Sequence, residues 1–337
     1  MYELVSIHEW SRWQKVLDLL RISDIYYSSQ YFLAATELDP GEPLLFYYKD
    51  NEGEVAYPFI KRKIVGGENE YFDITTPFGY GGPLMKGNKS NPSLIENFRK
   101  AFADYCQEEK IIAEFIRFHP ILENAQSMEN HVKLTPLYET FSLEFRSRKK
   151  VESAKMISDL NFEGDEVKKL VIKKLGTVRH MFEFLVLYYL TVRRREEADS
   201  YYFFTDDYFE TLISSLGSNL HLFGAFQKNK MISACYVLTC KDRIYHHLES
   251  SLEDSDSDAM KLLLLKIAEW GEENHFKSFH LGGDFKGERQ RESRLKKDIS
   301  NSGPHTFYIG HHIYDEETYH RLMPLEERDI IKRYRNI

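Results

Sequence analysis

The same order of predicted elements occurs twice along this chain of 337 residues. Each half contains a β-hairpin, a further strand, an amphipathic helix and a short strand. In the first half the hairpin spans 43–64, and a helix begins at Asn91-Pro92, where proline suits the first helical position. In the second half the hairpin spans 220–239, and a helix covers 258–274. This repetition predicts an α/β (α+β) chain of two tandem domains, each with a mixed, mostly antiparallel sheet flanked by helices.

A change of composition marks the predicted boundary between the two domains. Residues 146–169 are rich in Lys, Arg, Glu and Ser and poor in aromatic side chains. Exposed, polar segments of this kind typically connect domains. The sequence therefore predicts one domain over 1–150 and a second over 151–337.

Composition also restricts the class of protein. The chain has no run of about 18 apolar residues, which a membrane-spanning helix requires, and its first residues lack the pattern of a signal peptide. Cys106, Cys235 and Cys240 are too few and too widely spaced for a disulfide framework or a zinc site. The formal net charge of −8 disfavours a surface that binds nucleic acid throughout. We expect a cytoplasmic protein with reduced cysteines and no membrane span.

Residues 71–84, YFDITTPFGYGGPL, form a glycine-rich loop with two interpretations. A dinucleotide fingerprint or a P-loop would run into a helix, whereas here Pro83 follows at once and the next predicted helix begins at Asn91. The loop therefore lacks a helix N-terminus that would bind phosphate. One interpretation is a sharp turn that needs positive φ angles. The other is a substrate groove whose wall is bare backbone flanked by Phe78 and Tyr80.

Several stretches, taken in order, resemble the FemAB-like branch of the GNAT acyltransferase superfamily. They cover nearly the whole chain: YPFIKRKI at 57–64 followed by the glycine-rich loop, the helix positions Phe184, Tyr188, Thr191 and Arg194, LFGAFQKNKMISACYVL at 222–238, FHLGGDF at 279–285, and RLKKDIS at 294–300 followed by FYIGHHIYD. The branch includes the aminoacyltransferases that build peptidoglycan bridges and other N-acyltransferases.

The resemblance implies both a fold and an activity. The fold would be two tandem GNAT-like domains. The activity would be transfer of an acyl or aminoacyl group to an amine of a sugar-nucleotide or cell-wall precursor, with acyl-CoA (acetyl-CoA) or aminoacyl-tRNA as donor and no metal. The positions that match the family's acceptor groove, or that lie in the basic run beside it, are Phe78, Tyr80, Gly81, Tyr188, Arg194 and Arg294.

Two departures from the family pattern leave alternatives open. Where acyl-CoA enzymes of this superfamily bind pyrophosphate, this chain reads ESSLEDSDSDAM at 249–260, which is acidic and lacks glycine. This departure favours a catalytically silent GNAT-fold binding protein as an alternative. A basic cluster within 146–174 leaves a tRNA-dependent peptidoglycan-bridge aminoacyltransferase as another alternative, with tRNA as a partner.

Three residues are candidates for the chemistry of acyl transfer. Lys296 matches a lysine of the family and would bind an acceptor phosphate or stabilise an oxyanion, unless it is only a solvated lysine in a basic run. His246 and Glu249 lie on one predicted strand and are candidate bases, although a hydrogen-bonded structural histidine is the alternative for His246. Adjacent strand residues face opposite sides, so His311-His312 does not predict a metal site.

Overall fold

A computed structural model of the chain describes residues 1–64, 70–86, 91–145, 170–194, 200–252, 257–283 and 290–322. They belong to two compact units. The first unit draws on 1–137, 199–216 and 307–337, and the second on 138–198 and 217–306. Each unit thus combines separate stretches of the chain, unlike the two contiguous domains expected from sequence. The predicted linker near residue 150 lies outside the described residues, and a division there stays a prediction.

The first unit is a mixed sheet with helices on it. Its strands are β1 (Tyr2–Ser6), β2 (Glu42–Lys49), β3 (Glu54–Ile64), β4 (Tyr71–Thr75), β5 (Leu84–Lys86) and β6 (Ile111–Arg117), joined by the last residues of β13 (Ser302–Ile313). Its helices are α1 (Trp10–Leu19), α2 (Ser29–Ala35), α3 (Pro92–Glu108), α5 (Asp206–Leu216) and α8 (Glu316–Leu322). β4 runs parallel to β6, while β1 to β3 form antiparallel pairs.

The local sequence explains how α3 begins and packs. The side chain of Asn91 accepts hydrogen bonds from the backbone N–H groups of Ser93 and Leu94, and Pro92 occupies the first turn, as an N-cap followed by proline should. The apolar stripe of α3 packs into a core rich in aromatic rings. Its buried members are Leu94, Ile95, Phe98, Phe102 and Tyr105. The sequence prediction of a helix opening at Asn91-Pro92 is confirmed.

The second unit is also built on strands of mixed direction. Its strands are β7 (Lys133–Glu144) from Tyr138 onward, β8 (Val171–Leu175), β9 (Leu220–Gln227), β10 (Lys230–Cys240), β11 (Arg243–Ser251) and β12 (Ser278–Gly283), joined by the first residues of β13. Its helices are α4 (Val178–Arg193), α6 (Ser257–Glu273) and α7 (Gln290–Ile299). β11 runs parallel to β12, and β8 to β11 pair antiparallel in succession. The predicted mixed, mostly antiparallel sheet flanked by helices is confirmed.

Helices α6 and α7 cover one face of the strands of the second unit. The helices contribute Leu263, Leu264, Leu295 and Ile299 to a core that also contains Cys235 and Val237 of β10. Among the described helices, none combines the length and the apolar character that a membrane span would need.

Candidate functional site

The three residues predicted to carry the chemistry meet in the second unit. The Nε2 atom of His246 lies 3.3 Å from Oε2 of Glu249, and the Nζ atom of Lys296 lies 3.6 Å from the same oxygen. His246 and Glu249 are on β11, and Lys296 is on α7. We call these three residues the Lys–Glu–His cluster.

A β-bulge brings His246 and Glu249 to one face of the sheet. In a regular strand, residues three apart point to opposite faces. Here Glu249 pairs with Cys235 and His246 pairs with Val237, so the register shifts by one and His247 is the extra residue. Cys235 and Val237 are two apart in β10 and share a face, and each cross-strand partner shares it with them.

Burial distinguishes the members of the cluster. Lys296 is 4% exposed, which rules out the alternative of a solvated lysine, whereas the next residue, Lys297, is exposed. Leu295 and Ile299 of the same helix anchor it in the core. The side chain of Glu249 keeps 14% of its accessible surface, against 5% for His246. Glu249 is therefore the member of the cluster that a solute would reach first.

Burial and the neighbouring charges set the protonation of the cluster. Burial, and after it the positive charge of Lys296, lowers the pKa of His246 to about 4, although Glu249 acts in the opposite direction. Burial, and then the negative charge of Glu249, raises the pKa of the Cys235 thiol. At neutral pH the imidazole of His246 is therefore uncharged and the thiol is protonated.

The hydrogen bonding of His246 fixes its tautomer. Its Nδ1 atom lies 3.2 Å from the backbone oxygen of Leu281. A carbonyl oxygen can only accept, so Nδ1 carries the proton and Nε2 presents a lone pair. Nε2 makes no hydrogen bond to a described residue, and it faces Oε2 of Glu249. A proton arriving between these two atoms would be shared by two acceptors.

Tyr188 and Arg194 lie in the same unit but bind other groups. Tyr188 is buried on α4 and stacks on Phe184 with ring centroids 5.9 Å apart. The guanidinium of Arg194 donates to the backbone oxygens of Ser251, at 2.5 Å, and of Leu252. It thereby ties the end of α4 to the end of the strand that carries the cluster. Their predicted roles in substrate binding stay predictions.

The other residues predicted to bind substrate do not belong to the Lys–Glu–His cluster, as far as the structure describes their side chains. Arg294 lies on α7, but its side chain falls outside what the structure describes. Phe78, Tyr80 and Gly81 belong to the first unit. Phe78 is half-buried and its ring lies 5.1 Å from that of Phe204. Tyr80 is buried, with its ring 5.2 Å from that of His119.

The glycine-rich loop supports the turn interpretation. Gly79 and Gly82 have φ angles of +98° and +89°, in the region that favours glycine. A Cβ atom on Gly82 would lie 2.9 Å from the amide nitrogen of Asn124. That amide donates to the backbone oxygens of Gly81, at 2.8 Å, and Pro83, at 3.2 Å. The glycines thus let the backbone turn beside Asn124. The role of this loop as the wall of a substrate groove stays a prediction.

A second buried charge cluster, which the sequence does not predict, lies in the first unit. Arg99 of α3 donates to Oε1 of Glu114 on β6, which also accepts a hydrogen bond from the hydroxyl of Tyr314 at 2.9 Å. The other oxygen, Oε2, accepts from Tyr57 at 3.2 Å. We call these four residues the Arg–Glu–Tyr cluster. The available signal was an arginine within the apolar stripe of a helix and a carboxylate within an apolar strand.

The described residues contain no group of three or more His, Cys, Asp or Glu side chains that could hold a metal ion. No protein-family model matches the sequence, and no curated protein matches it significantly. Similarity to known proteins is found among solved structures.

Three of these structures cover almost the whole chain. FemX matches with a TM-score of 0.62 and 10% identity, over 95% of this chain and 99% of that one. A tandem GNAT protein from the clavulanic acid biosynthesis pathway matches with a TM-score of 0.54 and 8% identity, over 94% and 100%. L-PGS from Bacillus licheniformis matches with a TM-score of 0.51 and 12% identity, over 96% and 95%. At these identities the likeness is one of fold: the chain resembles FemX and a tandem GNAT protein in its fold, as the sequence predicts.

Proposed function

We propose that this protein is an N-acyltransferase that works through the Lys–Glu–His cluster. It would transfer an acyl or aminoacyl group to an amine of a sugar-nucleotide or cell-wall precursor. The observation that carries the proposal is the meeting of Lys296, Glu249 and His246 in a largely buried site, at 3.6 and 3.3 Å from one carboxylate oxygen. A cation beside a proton acceptor is the combination that acyl transfer to an amine requires.

The acceptor amine is a protonated ammonium at neutral pH and must lose a proton before it attacks. Glu249 takes this proton, which then lies between its Oε2 atom and Nε2 of His246. The shared position makes the pair a better base than an imidazole whose pKa is lowered to about 4. Because Glu249 is the most exposed member, the proton enters the cluster through its carboxyl group, although Oε2 itself is buried.

The free amine attacks the carbonyl carbon of the donor, and a C–N bond forms. The charge that develops on the carbonyl oxygen is stabilised by the ammonium group of Lys296. The intermediate then collapses and the bond to the leaving group breaks, with a thiolate or a ribose oxygen departing. The nitrogen loses its second proton at this stage. One of the two protons goes to the leaving group and the other to solvent.

Two donors fit this chemistry, acyl-CoA and aminoacyl-tRNA. The segment at 249–260 holds five Asp and Glu residues and no glycine, so its charge does not suit a pyrophosphate; residues 253–256 of it lie outside the described part of the chain. A CoA donor would therefore bind its pyrophosphate elsewhere. Both donors occur in the cytoplasm, and we place the protein there. The same acidic segment favours one competing proposal, a silent binding protein of the same fold.

Donor binding and turnover test the proposal together. Calorimetry of the full chain with acetyl-CoA, charged tRNA and uncharged tRNA identifies the donor. Release of CoA or loss of the aminoacyl ester from tRNA, in the presence of amino-sugar nucleotides, then measures transfer. We expect turnover that is lost in Lys296→Ala and retained in Lys297→Ala, which changes an exposed neighbour on the same helix. Binding of an acceptor without any donor consumption would identify the silent binder instead.

A further inference from the structure

Helix α4 leaves an apolar stripe uncovered on its outer side. Val178, Phe182, Val186 and Leu190 recur every four residues and are 64%, 62%, 60% and 41% exposed. Residues spaced by four lie on one face of a helix. The opposite face is buried, and Phe184 on it contacts the ring of Tyr236 with centroids 4.6 Å apart. The helix is therefore apolar on two sides, only one of which the described residues of the second unit cover.

Two of the three charged side chains of α4 are basic. Arg179 and Arg193 flank the stripe near its two ends and are exposed, with 85% of the Arg179 side chain accessible. Glu183, the one acidic residue of the helix, lies at the edge of this face and pairs with Arg179 at 2.9 Å. Residues 170–194 contain five Lys and Arg against this single Glu, whereas the whole chain carries a net charge of −8.

We propose that this stripe docks the protein onto an anionic lipid surface. A helix lying in a membrane interface buries apolar side chains among the acyl chains and keeps basic groups at the level of the headgroups. The long side chains of Arg179 and Arg193 can extend from the edges of the stripe to phosphates while their stems stay in apolar contact. Positive charge beside Phe182 and Val186 complements an anionic leaflet.

The charges disfavour a second copy of the chain as the occupant. In a two-fold symmetric contact the same surface meets itself. An antiparallel pairing of two α4 helices would place Arg179 of one copy beside Arg193 of the other, and a parallel pairing would place each arginine beside its counterpart. Both arrangements bring like charges together.

Vesicle co-sedimentation of the full chain tests the proposal without any need for turnover, so its failure is distinct from failure of the proposed activity. The vesicles are phosphatidylcholine alone or phosphatidylcholine with about one third phosphatidylglycerol. We expect binding to the anionic vesicles that weakens as salt is raised. Phe182→Ser combined with Val186→Ser should weaken this binding at least about tenfold. Arg179→Gln combined with Arg193→Gln should remove the preference for phosphatidylglycerol.

The matched control is Trp10→Ser combined with Leu33→Ser, which removes two exposed apolar side chains from the first unit, 67% and 43% exposed. This control should bind vesicles as the unchanged protein does. All three double variants should keep the circular dichroism spectrum and the Tm, because the altered side chains are exposed. Equal binding by all variants would overturn the proposal. So would absence of vesicle binding together with a dimer, seen by light scattering, that Phe182→Ser and Val186→Ser dissociate.

Discussion

Two buried acidic side chains, Glu114 in the first unit and Glu249 in the second, each lie beside a basic side chain. Glu114 is fully buried and both its oxygens accept hydrogen bonds, from Arg99, Tyr314 and Tyr57. Glu249 is 14% exposed; Lys296 lies at an ion-pair distance of 3.6 Å from it, and the uncharged His246 lies at 3.3 Å.

The two clusters differ in whether a proton or a ligand can still be taken up. In the Arg–Glu–Tyr cluster a donor already occupies each carboxylate oxygen, and the guanidinium of Arg99 lies 5.6 Å from the centroid of the Phe102 ring. In the Lys–Glu–His cluster, Nε2 of His246 makes no hydrogen bond to a described residue. A cluster whose carboxylate is saturated contributes to folding, even though Nη1 of Arg99 makes no hydrogen bond to a described residue, whereas a cluster with remaining acceptor capacity is suited to chemistry.

The largest effect is expected at the saturated cluster. Arg99→Ala removes the partner of a fully buried carboxylate and should lower the free energy of unfolding by about 3–5 kcal/mol. Urea denaturation measures the change. Lys100→Ala, which alters the exposed neighbour on the same helix, should stay within about 0.5 kcal/mol of the unchanged protein. If Arg99→Ala and Lys100→Ala were equally stable, the Arg–Glu–Tyr cluster would not contribute to folding, and the contrast with the Lys–Glu–His cluster would fail.

Substitution within the Lys–Glu–His cluster should lower the turnover rate. Lys296→Met is expected to lower kcat about 100- to 1,000-fold, because a buried cation that stabilises the oxyanion is lost. Its cost in stability should be smaller than that of Arg99→Ala, since Glu249 keeps solvent contact. Lys297→Met is the matched control. If Lys296→Met showed the same kinetics as the unchanged protein, Lys296 would have no catalytic role.

A hydroxyl can be removed from the saturated cluster without removing a charge. Tyr314→Phe deletes the donor to Oε1 of Glu114 and should cost about 1.5–3 kcal/mol, the range for a buried hydrogen bond to a charged group. Tyr308→Phe is the control, because this half-buried tyrosine makes no side-chain hydrogen bond to a described residue. Thermal and urea unfolding should both rank Tyr314→Phe as the less stable variant.

The last effect concerns the dependence of stability on pH. His246 has a pKa of about 4 in the folded protein and about 6.5 when unfolded. Between these values only the unfolded state binds this proton, so stability falls as the pH is lowered through this range. His246→Gln should reduce the slope by up to about 1.4 kcal/mol per pH unit.

A histidine outside the cluster provides the control for this experiment. Burial, and then the charge of Lys174, lowers the pKa of His221 to about 4 as well. His221→Gln should therefore reduce the slope of stability in the same way. Only His246→Gln should change the dependence of kcat/KM on pH. If both variants changed it, the effect would reflect stability and not the chemistry of the cluster.

The sequence predicts the fold more completely than it predicts the arrangement of the candidate site. Asn91-Pro92 marks the start of α3 because capping and proline chemistry are local, and the strands follow from apolar runs bounded by turns. The bulge at His247 has no such local signal, since it depends on how β11 pairs with β10. Alternation alone would have placed His246 and Glu249 on opposite faces.

Burial of a charged side chain is equally hard to infer. Lys296 stands in a run of basic residues, which is typical of an exposed surface, yet it is almost completely buried. Its environment is set by Leu295, Ile299 and the sheet beneath them. Tertiary packing, which one sequence does not reveal, decided which lysine of the run faces inward.

The bulge also means that the site depends on the register of β11 on β10 as well as on the identities of its residues. Deletion of His247 would leave Lys296, His246 and Glu249 all present in the chain. The strand would then alternate regularly, and His246 and Glu249, now two residues apart, would still share a face. If His247 were kept and the bulge were straightened instead, Glu249 would turn to the face opposite His246, and the candidate groups would all be present without meeting.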